Sequence, residues 1–251
     1  MAVIDLNADL GETIAGVPTA DDEALFAVVS SASVACGGHT GDAASMRASV
    51  DRATRFGVAV GAHPSYADPE NFGRVALRVP ADELERSIGS QLDALIAAGA
   101  DLRYVKPHGA LYHAVRADPA QAGALARAVV ERAERIGRAL PLLGLPGAVS
   151  DAAAAHGLPF LAEAFLDRAY RPDGALVARG EPGAVLHDPA EVAARAVRLA
   201  QEGTVIAVDG GVLETGAVSL CLHGDSPAAL AMARAVRAAL DAAGVSVRAP
   251  W

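Results

Sequence analysis

A chain of 251 residues, 52% of them hydrophobic, holds enough apolar surface for a sizeable core and is excluded from the disordered class. The formal net charge is −9 and the 21 Lys and Arg residues are scattered along amphipathic stretches, which excludes nucleic acid as a partner. No apolar stretch reaches membrane-spanning length and the N-terminus shows no leader pattern. The expectation is therefore a cytoplasmic protein with no membrane partner, folded as a single domain over 1–251.

Short apolar runs alternate with amphipathic ones from end to end, as βα units require. The strands expected are Val3–Leu6, Ser33–Cys36, Val58–Ala62, Leu102–Lys106, Leu142–Leu145, Phe160–Phe165, Val205–Val208 and Val218–His223. Helical periodicity falls near 21–31, 42–56, 82–98, 120–137, 147–156, 190–202 and 228–243, with Leu84, Ile88, Leu92, Leu95 and Ile96 as the clearest apolar stripe. Asp118-Pro119, Asp188-Pro189 and Ser226-Pro227 read as helix starts, and Gly57, Gly99, Gly157, Gly203 and Gly244 as helix ends. Seven or eight such units suit an α/β fold, either a (β/α) barrel or a doubly wound open sheet; periodicity alone does not separate them.

Ligands of parallel α/β folds meet the loops that follow the strands, and polar residues concentrate there. The runs are Asp5-Leu-Asn7-Ala-Asp9-Leu-Gly11-Glu12, Cys36-Gly-Gly-His39-Thr-Gly-Asp42, Gly61-Ala-His63-Pro64-Ser65, Lys106-Pro107-His108-Gly109 and Cys221-Leu-His223-Gly224-Asp225. Asp5, Asn7 and Asp9 alternate and so share one face of an extended chain, where two carboxylates repel unless a cation, proton or donor lies between them. His39, His63, His108 and His223 each end a separate strand beside Gly or Pro. His113, His156 and His187 read as structural. Lys106 is the only lysine in the sequence, at a place where a compact ammonium does what a guanidinium does not. Converging His and Asp suit either a divalent metal, with Asp9, His39 and His63 as ligands, or acid–base work on an amide. No short HxH or HExxH module decides between them. Cys36 reads as a small buried hydrophobe before it reads as a nucleophile. Neither GxxxxGK[ST] nor a strand-linked GxGxxG occurs.

DLNADLGE at 5–12, SSASVACGGHTGD at 30–42, GAHPSYADPENFGR at 61–74, VKPHGALY at 105–112, EAFLDRAYRPDGALVAR at 163–179 and CLHGD at 221–225 together resemble one family, the 5-oxoprolinase A-subunit or LamB/YcsF lactam-utilisation family. The resemblance implies a (β/α) barrel of glycoside hydrolase/deacetylase type with seven main parallel strands. It implies ATP-dependent hydrolysis of 5-oxoproline to L-glutamate, with ATP as co-substrate and with 5-oxoprolinase subunits B and C as partners. The rival expectations are a metal-dependent amidohydrolase acting alone and a non-catalytic lactam-binding subunit. Asp9, Glu12, His39, His63, Lys106 and His108 are the expected catalytic residues. Asn7, Asp42, Ser65, Asp167, Arg168, His223 and Asp225 are the expected substrate contacts, with Arg168 holding the substrate carboxylate. Gly38, Thr40, His113 and Thr13 depart from the family pattern, and all four flank the polar core rather than replace it.

Overall fold

A computed structural model describes every residue except Met1, Ala15 and Pro227. In chain order the elements are β1 Val3–Leu10, β2 Thr13–Ile14, β3 Val17–Pro18, α1 Asp22–Phe26, β4 Ser31–Ala35, α2 Ala43–Phe56, β5 Ala59–His63, α3 Ala81–Ala97, β6 Leu102–Val105 and α4 Gly109–Ala117. They continue with α5 Pro119–Ile136, β7 Leu142–Gly144, α6 Ala148–Ala155, β8 Phe160–Phe165, α7 Pro189–Glu202, β9 Thr204–Ile206, β10 Val212–Glu214, β11 Ser219–Cys221, α8 Ala229–Ala242 and β12 Ser246–Val247. The described residues group into two compact units. One comprises the described residues within 2–8, 20–31 and 162–250; the other comprises those within 9–19 and 32–161, with Trp251.

The hydrogen-bonded strand order is β11-β8-β7-β6-β5-β4-β1-β12, and β11 also pairs β1. With β12 set aside, the order over the other strands is cyclic, which is seven-stranded (β/α)-barrel topology and not a doubly wound sheet. β1 with β11 and β12, β11 with β8, β5 with β6, and β6 with β7 all pair in parallel. Strands covered on both faces read as near-continuous runs of small and apolar residues. That is the character of β4, SASVA, in which every residue is buried.

Local chemistry sets the helix ends. Asp42 caps α2 by accepting from the Ala44 and Ser45 amides at 2.8 Å, and Gly57 ends the helix in the left-handed region at φ 68°. Asp118-Pro119 starts α5 and Asp188-Pro189 starts α7 in the expected way. The start expected at Ser226-Pro227 falls partly outside the described residues.

Three expectations change. β1 runs to Leu10, so Asp5, Asn7 and Asp9 stand within the strand rather than after it. The strand expected at Val205–Val208 is β9, which pairs antiparallel with β10 in a separate two-stranded hairpin; the Ala207 amide donates to the Gly211 carbonyl across its turn. An apolar run says nothing of which edge it pairs with, and Gly210-Gly211 supplies the turn that returns this one on itself. The helix expected near 21–31 is only Asp22–Phe26, because Ser31 already opens β4.

Gly61 of β5 shows how closely the second unit is packed. A Cβ at Gly61 would lie 2.3 Å from the Tyr104 ring, which is buried, exchanges a hydrogen bond with Ser33 Oγ at 3.1 Å and stacks on Trp251 at 4.2 Å. Overpacking of this kind costs about 1–3 kcal/mol. Gly61→Ala is therefore expected to lower the urea midpoint followed by fluorescence of Trp251, the chain's single tryptophan. An unchanged midpoint would contradict the packing.

Candidate functional site

The second unit carries a buried polar cluster assembled from four strand ends. Asp9 comes from β1, with Glu12 just beyond it. His39 sits in the turn after β4, where Gly41 adopts φ 93° and a Cβ would come within 2.7 Å of the Ala35 carbonyl oxygen; only glycine fits that place. His63 is the last residue of β5, and Lys106 directly follows β6, its amide donating to Ala62 O at 2.9 Å. His108 is the residue from which α4 starts. All six are buried, Asp9 being the most exposed at 7%.

The proton positions follow from the partners. His63 Nδ1 lies 2.7 Å from the Lys106 carbonyl oxygen and His108 Nε2 lies 3.0 Å from the Phe72 carbonyl oxygen. A carbonyl only accepts, so both of these nitrogens carry the ring proton. In the neutral rings the remaining nitrogens, His63 Nε2 and His108 Nδ1, are bare, and they face each other at 3.0 Å. Asp9 Oδ2 is 3.3 Å from the first and Glu12 Oε1 is 3.4 Å from the second. Lone pairs and carboxylate oxygens at these distances repel unless positive charge, a proton or a cation, lies among them. Burial, reinforced by the neighbouring imidazoles, holds His39 and His108 well below the ordinary histidine range, which disfavours the protonated rings. Lys106 Nζ donates to Asp9 Oδ1 at 2.9 Å and supplies one charge from the side.

His39 completes the cluster. Its ring stacks flat on His108 at 3.7 Å, its Nε2 is 3.1 Å from Glu12 Oε1, and its Nδ1 is 3.1 Å from Ser65 Oγ. Among the described residues of this unit, potential metal-ligand atoms converge in two groups, Asp9 with His63 and His108, and Glu12 with His39 and His108. The arrangement brings in His108, whereas the sequence expectation grouped Asp9 with His39 and His63. Each imidazole of the first group also donates its outer N–H to a backbone carbonyl, the support that fixes a metal-binding histidine. The donor set thus fits a borderline divalent ion.

The other expected contacts are placed as follows. Ser65 is buried and holds His39, while its own backbone is clamped by Gln91, whose Oε1 accepts from Ser65 N at 3.0 Å and whose Nε2 donates to Ser65 O at 2.8 Å. Asp42 is exposed and serves as the α2 cap, and those amide bonds lower its carboxyl below the usual range. Asn7, Asp167, Arg168, His223 and Asp225 belong to the first unit. There Asn7 donates to Ser219 Oγ at 2.7 Å, beside a buried Asp5 that accepts from Ser30, Ser31 and Ser219. His223 Nδ1 is 2.9 Å from both Asp167 oxygens, an arrangement that orients the ring. Arg168 is buried and donates from Nε to the Ala184 carbonyl and from Nη2 to the Val177 carbonyl, ties that fasten its own loop. Asp225 pairs with Arg179 at 3.2 Å.

Two participants escaped the sequence reading. Gln91 was legible as a polar residue in register with the Ile88–Leu95 stripe of α3. Phe72 lies inside the GAHPSYADPENFGR motif with no local sign of its unusual backbone, φ 55°.

A profile of the LamB/YcsF family matches residues 4–250. The chain is 47% identical to 5-oxoprolinase A-subunit 1 of Agrobacterium fabrum over 253 residues, 99% of this chain and 98% of that protein. It is 52% identical to the 5-oxoprolinase A-subunit of Streptomyces griseus over 252 residues, 98% of this chain and 99% of that one. The solved lactam utilization protein of Thermus thermophilus superposes with a TM-score of 0.90 at 42% identity, covering 98% of this chain and 99% of the other. Among the described residues, no helix is long and apolar enough to cross a membrane.

Cys36 is sealed beneath this cluster, and burial pushes its thiol up to about 12. A nucleophilic role needs the thiolate. The folded protein at pH 8 is expected to leave both Cys36 and Cys221 unlabelled by iodoacetamide, and denaturation to expose them; labelling of Cys36 in the folded state would restore the nucleophile reading.

Proposed function

The chain belongs to the LamB/YcsF family, and on that premise we propose that it is the A-subunit of an ATP-dependent 5-oxoprolinase, acting with subunits B and C to hydrolyse 5-oxoproline to L-glutamate. The observation that carries the reading is the convergence of Asp9, Glu12, His39, His63, Lys106 and His108 in one buried cluster. The name carried by the full-length relatives gives the substrate class and the multi-subunit setting.

Opening the lactam adds water across the ring C–N bond: the carbon gains the hydroxyl, and the nitrogen leaves with the proton. A five-membered lactam is a stable amide, so the carbonyl needs activation, and ATP coupling would supply it: the amide oxygen takes the γ-phosphoryl group as ADP leaves, water attack and C–N cleavage then leave an acyl phosphate, and a second water releases inorganic phosphate and the carboxylate. The chain's own residues handle charge and protons. Lys106 donates to Asp9 and fixes it in place. Glu12 and His39, 3.1 Å apart, form the pair that accepts a proton from the attacking water and returns one to the departing nitrogen. Ser65, held by Gln91, sets the His39 ring for that exchange. Asp9, His63 and His108 would hold a divalent ion; when bound it would polarise the carbonyl or acidify water.

Glutamate formation from 5-oxoproline and ATP is expected only when the partner subunits are added, and His63→Ala is expected to lower turnover by about 100-fold or more with the complex still assembled. Hydrolysis by the isolated chain without ATP would instead favour the stand-alone amidohydrolase, and full turnover by His63→Ala would favour a non-catalytic binding subunit.

Metal retention provides a separate check. About one equivalent of divalent ion per chain is expected by elemental analysis, falling at least tenfold in affinity in His63→Ala and His108→Ala, as loss of a ligand implies. Equal affinity in wild type and both variants would remove the ion from this cluster.

A further inference from the structure

We infer that the Thr40 hydroxyl is a latch that sets the Glu12–His39 pair, which makes Thr40 a positioning residue for proton transfer in the reaction proposed above. Its part in turnover depends on that reading; its hold on the pair does not.

Glu12 and His39 lie beyond the ends of two different strands, β1 and β4, so strand pairing alone does not set the distance between them. The chain leaves β1 at Gly11, in the left-handed region at φ 73°, where a Cβ would come within 2.7 Å of Ser49 Oγ. The Glu12 carbonyl then accepts from Thr19 N at 3.0 Å and from Thr19 Oγ1 at 3.2 Å. Between Glu12 and Thr19 lie β2 and β3, which pair antiparallel. On the other side, the Gly37 amide donates to the Thr40 carbonyl at 2.8 Å and closes the loop that carries His39.

The two segments meet through one oxygen. Thr40 Oγ1 accepts from the Thr13 amide at 3.0 Å, donates to the Thr13 carbonyl oxygen, and lies 3.3 Å from Thr13 Oγ1. A hydroxyl has one proton to give and lone pairs to accept with, and here both capacities go to the main chain of a single residue. Two bonds of opposite sense fix that residue in direction as well as position, where one bond would leave a hinge. Thr13 directly follows Glu12, and Thr40 directly follows His39. The side chains one step back are the ones that meet, with His39 Nε2 3.1 Å from Glu12 Oε1.

The pair needs such a hold. Glu12 Oε1 also stands 3.4 Å from His108 Nδ1, and these atoms repel unless positive charge lies between them. A hydrogen bond is lost by about 3.5 Å, so a drift of a few tenths of an ångström uncouples Glu12 from His39. Ser65 and Gln91 hold the opposite nitrogen of the His39 ring, and Thr40 holds the ring's own chain to that of Glu12. Misplacing a reacting group by about 1 Å costs about 100-fold in rate. Thr13 and Thr40 both depart from the family pattern, so the latch is a refinement of this chain and its loss is smaller than that.

The test compares Thr40→Val, which keeps the shape and removes the hydroxyl, with Thr40→Ser, which keeps the hydroxyl. In the complex assembled with the partner subunits, Thr40→Val is expected to lower kcat about 10-fold, with KM for 5-oxoproline and for ATP within twofold of wild type. Thr40→Ser should recover most of the loss. In the isolated chain, the nitrogen-15 resonance of His39 Nε2 should shift in Thr40→Val and return to its wild-type position in Thr40→Ser. A kcat within twofold of wild type in Thr40→Val overturns the assignment, and so does an equal loss in both variants, which would trace the effect to the methyl group. An unmoved His39 resonance in Thr40→Val overturns it as well, leaving the hydroxyl to fasten the β2–β3 hairpin alone. If Thr40→Val does not assemble, Thr40→Ala carries the same expectations; failure of both makes the hydroxyl structural and overturns the positioning role. A wild-type complex that leaves 5-oxoproline intact overturns the proposed function, and the His39 resonance then decides the latch by itself.

Discussion

Two imidazole nitrogens, His63 Nε2 and His108 Nδ1, face each other 3.0 Å apart inside the second unit, with a carboxylate oxygen beside each. Everything around them answers that constraint. The backbone carbonyls of Lys106 and Phe72 take the outer N–H of His63 and His108 and so prevent the rings from turning to relieve it. Lys106 brings an ammonium to Asp9, and burial opposes the simple remedy of protonating His39 or His108. A site in that condition is prepared for positive charge, whether an arriving proton in amide hydrolysis or a divalent ion.

The surrounding polypeptide is built to hold the arrangement. Strand ends place Asp9, His63 and Lys106, and those strands pair in parallel with their neighbours. Glycines sit where backbone and rings approach too closely for a side chain, at Gly41 under Ala35 O and at Gly73 against His39. Gln91 reaches from α3 to clamp both backbone groups of Ser65, which in turn meets His39. A chain of hydrogen bonds thus runs from a helix on the outside to a ring nitrogen in the cluster, and each link is short and buried.

Much of this was legible in the sequence, for reasons that can be traced. Strands covered on both faces announce themselves as short runs of small apolar residues, which located seven of the eight strands of the main sheet and left out the short β12. Asp-Pro pairs and glycines marked the starts and ends of helices because their backbone preferences are local. Six residues of the cluster were legible because histidine, carboxylate and a solitary lysine are uncommon beside buried strands. What sequence did not disclose depends on distant partners. The Val205–Val208 run has the composition of a sheet strand but pairs with β10 instead. The bonds of Arg168 to the Ala184 and Val177 carbonyls and the capping of α2 by Asp42 are likewise visible only once the chain is folded. The left-handed Phe72 has no local signature because nothing in Asn-Phe-Gly demands it.

The central claim, that carbonyl partners fix the outer protons of His63 and His108 and leave the facing nitrogens bare, is open to direct observation. Nitrogen-15 spectra of the histidine rings, assigned by single substitutions, report which nitrogen of each ring carries hydrogen. The account predicts a proton on Nδ1 of His63 and on Nε2 of His108 at every pH where the protein is folded, with the opposite nitrogens alone responding to added acid or divalent ion. A proton resident on His63 Nε2 with Nδ1 bare, or on His108 Nδ1 with Nε2 bare, would contradict it.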